Sequence, residues 1–132
     1  MQQPTYSKYS LLVVDDHRTM IQIVQGLLTQ IGFADIDTAA DGVGALEKMK
    51  TKRYDLIISD WNMPNMDGLE FLKRTRASEN PQVKTVPFIL VTAESKPENI
   101  IAAKQAGVNN YIVKPLALAT LKQKIDTTLG IL

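Results

Sequence analysis

The chain has 132 residues, a net charge of +1, no cysteine and a single histidine, His17. This length suits one domain that buries about two-thirds of its unfolded surface, and the near-neutral charge provides no strong field for nucleic acid or an acidic membrane. The missing cysteines and the lone histidine exclude disulfides, thiol catalysis and zinc sites of the usual kind, whereas a hard cation held by oxygen ligands is still allowed.

Short apolar runs alternate with helical patterns along the chain. The runs lie at residues 11–14, 36–39, 56–58, 88–91 and 111–113, and most of them lack polar alternation. Such runs are typical of strands that are buried on both faces of a parallel sheet. The first run is too short for a signal peptide core or a membrane span. We therefore expect a soluble, cytoplasmic protein that binds neither nucleic acid nor membrane.

The helical stretches carry their own start and stop signals. In the first, apolar residues recur at three- and four-residue spacing from Met20 to Ile31, and Gly32 follows as a stop. Asp67 is placed to cap a later helix, and Pro97 suits the first turn of another. The alternation predicts an α/β fold, a single doubly wound five-stranded parallel sheet with right-handed crossovers and five helices. We assign residues 1–8 to a flexible tail and residues 9–132 to the domain, with no room for an output domain.

Polar side chains follow the ends of the predicted strands. The first strand ends at Asp15 and Asp16, the third at Asp60, the fourth at Thr92 and the fifth at Lys114. Each has an ordinary explanation when taken alone, because acids favour helix starts and aspartates are common in turns. Ligands of such sheets, however, bind beyond the carboxyl ends of the strands. The coincidence of these groups at one rim predicts a functional site there.

The residue types at this rim indicate a particular chemistry. Clustered carboxylates repel, and one of them would bind a proton unless a cation compensates, a need that Mg²⁺ meets. Lys114 adds a second positive charge for an anion that approaches Asp60. These groups suit phosphoryl transfer to an aspartate, in which the protein positions groups and neutralises charge. His17 is expected to be a partly exposed residue at a helix start rather than a ligand.

Four stretches carry a family resemblance: "LLVVDDHRTM", "IISDWNMPNMDGLEFL", "VTAESKPENIIAAKQAG" and "YIVKP". With them the sequence resembles response-regulator receiver domains over nearly its whole length, in particular those of chemotaxis type. The resemblance implies a flavodoxin-like sheet of order 2-1-3-4-5. It also makes Asp60 the phosphoacceptor and implies that Asp15, Asp16, Asp60 and the backbone carbonyl of Asn62 bind Mg²⁺.

The same resemblance implies roles for other residues near the strand ends. Lys114 would hold the phosphoryl group, and Thr92 would sense it. Asn62 and Glu94 would flank the water that attacks the acyl phosphate. The family also implies a cis peptide bond between Lys114 and Pro115, which the sequence permits.

A partner-binding face is implied as well, on the fourth predicted helix, the fifth strand and the fifth helix. Tyr111 matches the aromatic residue whose burial tracks the active state. The residues that the resemblance places on this face are Lys96, Ile100, Tyr111, Val113, Leu116 and Lys124. Two departures from the chemotaxis-type pattern are Leu116, which replaces an aromatic residue, and Arg18, which replaces a serine at the start of the first helix.

The implied function is that of a monomeric single-domain response regulator rather than an enzyme. A sensor histidine kinase would phosphorylate it, a phosphatase would be a further partner, and the flagellar motor switch would be the output target. An alternative is a phosphate sink or phosphorelay shuttle that never binds a motor. A more distant alternative is a phosphatase with an aspartyl-phosphate intermediate, although Asn62 stands where the D-x-D signature of such enzymes has its second aspartate.

Overall fold

A computed structural model describes residues 5–93 and 96–131 of the chain. Strands and helices alternate along these residues, with one extra helix between α3 and β4. In chain order they are β1 (Ser10–Val14), α1 (Arg18–Ile31), β2 (Asp35–Ala39), α2 (Gly42–Thr51), β3 (Leu56–Asp60), α3 (Gly68–Arg76), α4 (Pro81–Lys84), β4 (Phe88–Thr92), α5 (Pro97–Gln105), β5 (Asn110–Val113) and α6 (Leu118–Leu129).

The strands form one parallel sheet in the order β2-β1-β3-β4-β5, as the family resemblance implied. The central strands β3 and β4 are buried along their whole length, while the edge strands β2 and β5 are only partly buried. Apolar clusters cover both faces of the sheet, one under α2 and α3 and the other under α1 and α6. The predicted fold class is therefore confirmed.

The five predicted helices correspond to the five long helices of the structure. Among the residues that it describes, the structure has a sixth helix, the short α4, Pro81–Lys84, which was not predicted. Its four residues are too few to show helical periodicity. Asn80 caps it by accepting a hydrogen bond from the Gln82 N–H at 3.0 Å. Within the described part of the chain, none of the helices is both long and apolar enough to span a membrane.

The predicted helix signals are found where the sequence placed them. The Asp67 side chain caps α3 by accepting a hydrogen bond from the Glu70 N–H at 2.8 Å. Gly32 ends α1 with a φ of 127°, a conformation that few other residues adopt. Pro97 occupies the first turn of α5. These local signals fix where the helices begin and end, and hence where the loops at the strand ends lie.

Tyr6 belongs to the predicted amino-terminal tail but has tertiary contacts. Its ring packs edge-on against Phe33 with 5.0 Å between centroids, and its hydroxyl donates to the Asp126 carboxylate at 2.9 Å. Residues 1–4 of the predicted tail lie outside the described residues. The division into a flexible tail, residues 1–8, and a domain that begins at residue 9 stays a prediction.

Candidate functional site

Three carboxylates meet beyond the carboxyl ends of β1 and β3. Asp60 is the last residue of β3, and Asp15 and Asp16 follow β1 directly. One ligand atom from each of these residues and one from His17 all lie within 4.8 Å of one another. Asp15 and Asp60 are buried, with only 3% and 4% of their surfaces exposed. We call Asp15, Asp16 and Asp60 the acid cluster.

Asp60 forms an ion pair with Lys114. The Lys114 Nζ lies 2.9 Å from the Asp60 Oδ1, and the lysine follows β5 in the same way that the aspartates follow their strands. Apart from this ion pair, the buried Oδ1 accepts no hydrogen bond within the described ranges. A buried carboxylate oxygen without a hydrogen bond is costly unless a cation completes its environment.

Asp15 is held in an electrostatically unfavourable place. Burial raises the pKa of the Asp15 carboxyl above its ordinary value, and the nearby Asp60 carboxylate raises it further. A hydrogen bond from the His17 N–H at 2.9 Å and the charge of Lys114 oppose this increase without cancelling it. The acid cluster thus has more negative charge than its neighbours neutralise. Hard oxygen ligands with an excess of negative charge fit a Mg²⁺ ion, for which Asp15, Asp16 and Asp60 are the candidate ligands.

The loop after β3 is folded tightly around the backbone of Asp60. The Gly68 N–H donates to the Trp61 carbonyl at 2.7 Å. A Cβ atom at Gly68 would lie 2.4 Å from the Asp60 carbonyl oxygen and 2.8 Å from the Trp61 Cα, both of which are backbone atoms. Only glycine fits such an approach. The glycine at position 68 therefore lets the loop pack closely against the backbone of Asp60, a requirement that was not predicted from the sequence.

Two of the remaining predicted site residues, Thr92 and Asn62, lie at the end of β4 and in the loop after β3. Thr92 ends β4 and is buried, and its carbonyl accepts a hydrogen bond from the Lys114 N–H at 2.8 Å. The Lys114–Pro115 peptide bond is cis, as the resemblance implied. Asn62 is exposed in the loop after β3, whereas Glu94 lies outside the described residues. The roles assigned to these side chains stay predictions.

Comparison with known proteins agrees with this geometry. The sequence profile of the response regulator receiver domain matches residues 11–126. The chain belongs to the response regulator receiver domain family. The Vibrio cholerae chemotaxis protein CheY-3 is 49% identical over 116 residues, covering 88% of this chain and 88% of that protein. The Pseudomonas aeruginosa chemotaxis protein CheY is 44% identical over 116 residues, covering 88% and 92% respectively.

Solved receiver structures share the fold closely. A crystal structure of CheY4 from Vibrio cholerae matches with a TM-score of 0.85 at 38% identity, covering 92% of this chain and 98% of that one. The receiver domain of a sensor histidine kinase from Pseudomonas aeruginosa has a magnesium ion coordinated in its active-site cleft. That domain matches with a TM-score of 0.81 at 30% identity, covering 92% of this chain and 98% of that one.

The residues of the predicted partner face lie on and around β5, an edge strand of the sheet. Tyr111 is half-buried, and the Lys124 Nζ lies 5.5 Å from the centroid of its ring. Val113 is exposed, and it pairs in register with Thr92 on β4. Lys96 is exposed, and Ile100 and Leu116 are half-buried. Tyr111 packs against the apolar cluster under α2 and α3, and Leu116 packs against the cluster under α1 and α6. Their role in binding stays a prediction.

His17 was not predicted to take part in the site. Its Nδ1 lies 3.3 Å from the Asp15 Oδ1 and 3.1 Å from the Asp16 Oδ1, and 69% of its side chain is exposed. The sequence placed it at a helix start, which is correct, since it precedes α1. Its position directly after two candidate metal ligands was the available signal for a role in the site.

Proposed function

We propose that this receiver domain is a phosphorylation switch in which Asp60 accepts a phosphoryl group from a sensor histidine kinase. The observation that carries the proposal is the state of the Asp60 carboxylate. It is buried beside two other acids, its Oδ1 accepts no hydrogen bond within the described residues, and Lys114 is in contact with it. An aspartate in these surroundings suits nucleophilic attack on a charged group whose charge the site can neutralise.

In the proposed reaction a carboxylate oxygen of Asp60 attacks the phosphorus atom. The bond between phosphorus and the donor nitrogen breaks, and its electron pair stays with the histidine of the kinase. Lys114 pairs with the phosphoryl oxygens and keeps the group in line with Asp60. The acid cluster would hold Mg²⁺, which when bound neutralises charge on the transferred group. The receiver domain itself positions the phosphoryl group and neutralises its charge, and it converts no separate substrate.

The proposed output is a change in the face around β5. A phosphoryl group adds about two negative charges and strong acceptor oxygens at the strand ends. Thr92 can donate its hydroxyl to one of them, and movement toward it would open space behind β4 for Tyr111. Lys96 and Lys124 together with apolar neighbours suit an acidic, amphipathic partner segment. By analogy with the chemotaxis relatives, we propose the flagellar motor switch as the target and the cytoplasm as the location.

The acceptor is tested by labelling with acetyl phosphate. Asp60→Asn should abolish labelling and leave the fold intact. Asp67→Asn is a matched control, because it removes an exposed carboxylate of the same loop while asparagine still caps α3. Labelling should survive in that variant. Retained labelling in Asp60→Asn would move the acceptor elsewhere and end the proposal.

Three further variants address how the phosphoryl group is held and how it is lost. Lys114→Arg should impair signalling despite its conserved charge, because a planar guanidinium does not replace a compact ammonium. Substitution of Asn62 or Glu94 should alter the half-life of the acyl phosphate and leave its formation intact. Unchanged decay in both variants would exclude them from the path of the attacking water.

The output is tested with a phosphoryl mimic. Beryllofluoride plus Mg²⁺ should tighten binding to a motor-switch peptide, because only a ligand that favours one conformation shifts the equilibrium. Thr92→Ala should reduce this gain while Asp60 still accepts phosphate. Peptide-induced chemical-shift changes on α1 would contradict the proposed face. Phosphorylation without any gain in peptide binding would instead favour a phosphate sink or shuttle.

A further inference from the structure

The imidazole nitrogen Nδ1 of His17 lies close to two carboxylates of the acid cluster. The Nδ1 is 3.1 Å from the Asp16 Oδ1 and 3.3 Å from the Asp15 Oδ1. One ligand atom from each of these three residues also lies within 4.8 Å of a carboxylate oxygen of Asp60. We propose that His17 is a nitrogen ligand of this metal site, which therefore favours transition-metal ions such as Ni²⁺ over Mg²⁺ more strongly than its carboxylates alone would. This inference rests on the proposed function, because the same carboxylates hold the metal.

The spacing of these atoms fits the coordination shell of one ion. Neighbouring ligands of an octahedral ion with bonds of about 2.0–2.1 Å are separated by about 3 Å. The distances from Nδ1 to the two carboxylate oxygens, 3.1 and 3.3 Å, are close to this separation. The atoms are therefore near the positions that a shared cation requires, and Nδ1 would bind it through its lone pair, in the neutral tautomer that carries the proton on Nε2.

A second observation shows that the cluster is more than a group of nearby acids. The Asp60 Oδ1 is buried, belongs to the cluster, and accepts no hydrogen bond within the described residues. Its Lys114 contact supplies one positive charge to three carboxylates. A divalent cation would satisfy this oxygen and remove the remaining charge deficit.

The imidazole is also available for binding. With 69% of its side chain exposed, His17 is not held by packing, and among the described residues its side chain forms no capping hydrogen bond to α1. Its backbone, by contrast, is fixed by the hydrogen bond from the His17 N–H to the Asp15 Oδ1 at 2.9 Å. A fixed backbone with a movable ring lets the nitrogen approach an ion without disturbing the carboxylates.

The chemical consequence is a change in metal preference. Mg²⁺ prefers oxygen ligands and retains several waters, so it gains little from an imidazole. Imidazole suits Ni²⁺, Cu²⁺, Zn²⁺ and iron, and most mixed nitrogen and oxygen sites bind Ni²⁺ more tightly than Mn²⁺. His17 should therefore strengthen the binding of Ni²⁺ and leave the binding of Mg²⁺ nearly unchanged.

The test is a pair of titrations on the untagged full chain, with Mg²⁺ and with Ni²⁺, followed by calorimetry. His17→Gln removes the imidazole and keeps a polar side chain. Loss of second-shell partners alone changes metal affinity by roughly 10–100-fold, so loss of a direct ligand should weaken Ni²⁺ binding by at least about tenfold. Mg²⁺ affinity should be the same in both proteins. Asp60→Asn should weaken the binding of both ions. Weaker Ni²⁺ binding in this variant would show that Ni²⁺ binds at this site.

A spectroscopic readout identifies the ligand directly. With Cu²⁺ in place of Ni²⁺, pulsed electron paramagnetic resonance detects coupling to the nitrogen of a bound imidazole. The chain contains one histidine, so that this signal reports His17 alone. It should be present in the wild-type protein and absent from His17→Gln.

The outcomes separate this inference from the proposed function. An equal ratio of Ni²⁺ to Mg²⁺ affinity in wild-type and His17→Gln proteins, or the absence of imidazole coupling, would overturn the role of His17 while Mg²⁺ binding and phosphorylation of Asp60 stand. Ni²⁺ binding that survives Asp60→Asn undiminished would also overturn it. Failure of Mg²⁺ to bind the wild-type protein would instead count against the proposed function.

Discussion

Aspartates occupy opposite electrostatic environments at the site and at the β2 edge of the sheet. At the site, the acid cluster crowds three carboxylates around one lysine, and the pKa of Asp15 is raised by burial and by Asp60. On edge strand β2, by contrast, the carboxylates of Asp35 and Asp37 accept hydrogen bonds from nearby side chains. We call Asp35, Asp37, Lys52 and Tyr54 the edge cluster.

Each carboxylate of the edge cluster is paired with donors. The Lys52 Nζ lies 2.9 Å from a carboxylate oxygen of Asp35 and 2.9 Å from one of Asp37, and the Tyr54 hydroxyl donates to Asp37 at 2.6 Å. The hydrogen bond from Ser10 and then Lys52 lower the pKa of Asp35, and those from Tyr54 and Lys52 lower the pKa of Asp37. The contrast teaches that aspartates paired with donors stabilise the fold, whereas burial and crowding disfavour the charged form of an aspartate such as Asp15.

The largest expected effect concerns Arg76, which ties the amino ends of β4 and β5 to α3. Its guanidinium donates to the carbonyls of Gly107, Lys84 and Val86 and to the Asn109 side chain at 2.7–3.0 Å. Arg76→Met should lower the free energy of unfolding by about 2–3 kcal/mol, because it leaves several acceptors without their donor. Urea denaturation measures this change.

Arg74 supplies a matched control two residues away. Among the described residues, its side chain pairs only with Glu70, at the surface, with 3.0 Å between Nε and Oε2. Arg74→Met should therefore cost less than about 0.5 kcal/mol. Equal losses in the two variants would show that the bonds of Arg76 do not stabilise this end of the sheet.

The next effect concerns the close approach at the site. Gly68→Ala should destabilise the receiver domain by about 2 kcal/mol, because its Cβ would press on the backbone of Asp60 and Trp61. Gly26→Ala is the control, since a Cβ at this exposed position in α1 meets nothing within 4 Å. It should stabilise the helix by about 0.5–1 kcal/mol. Thermal unfolding of both variants checks the opposite signs, and two changes of the same sign would contradict the account.

A third test neutralises one aspartate at each location. In metal-free buffer, Asp15→Asn should raise the free energy of unfolding by about 1 kcal/mol, because it removes repulsion and its amide oxygen can still accept the His17 N–H. Asp37→Asn should lower it by less than about 1 kcal/mol, because solvent screens this partly exposed cluster. If Asp15→Asn is destabilising as well, the acid cluster is not strained in the way proposed here.

The smallest effect concerns pH. The pKa of Asp37 is lowered by folding, so its contribution to stability is present above the unfolded pKa of about 3.9 and is lost as pH falls through the folded value. The wild-type protein should therefore lose stability below about pH 4, and Tyr54→Phe, which removes one hydrogen bond to Asp37, should lose less over that range. Identical acid unfolding curves would mean that this hydrogen bond contributes nothing.

The sequence predicted much of this arrangement because its signals are local. Apolar runs located the strands, Asp67 marked the start of α3, and polar residues at the strand ends located the site. The structure adds what depends on distant contacts. The oxygens that Arg76 binds lie 8 to 33 residues away, and the approach of Gly68 to Asp60 depends on how the loop closes. Neither feature has a periodic or compositional signature.

The central claim is that the acid cluster is arranged to receive a cation, and its most direct test is the effect of Mg²⁺ on the free energy of unfolding. At about 100 times its dissociation constant, Mg²⁺ should stabilise the wild-type protein by about 2.7 kcal/mol, since it binds only the folded state. Asp37→Asn, at the edge cluster, should gain the same amount, and Asp15→Asn should gain far less. A wild-type protein that Mg²⁺ does not stabilise, or an Asp15→Asn variant that gains as much, would contradict the account.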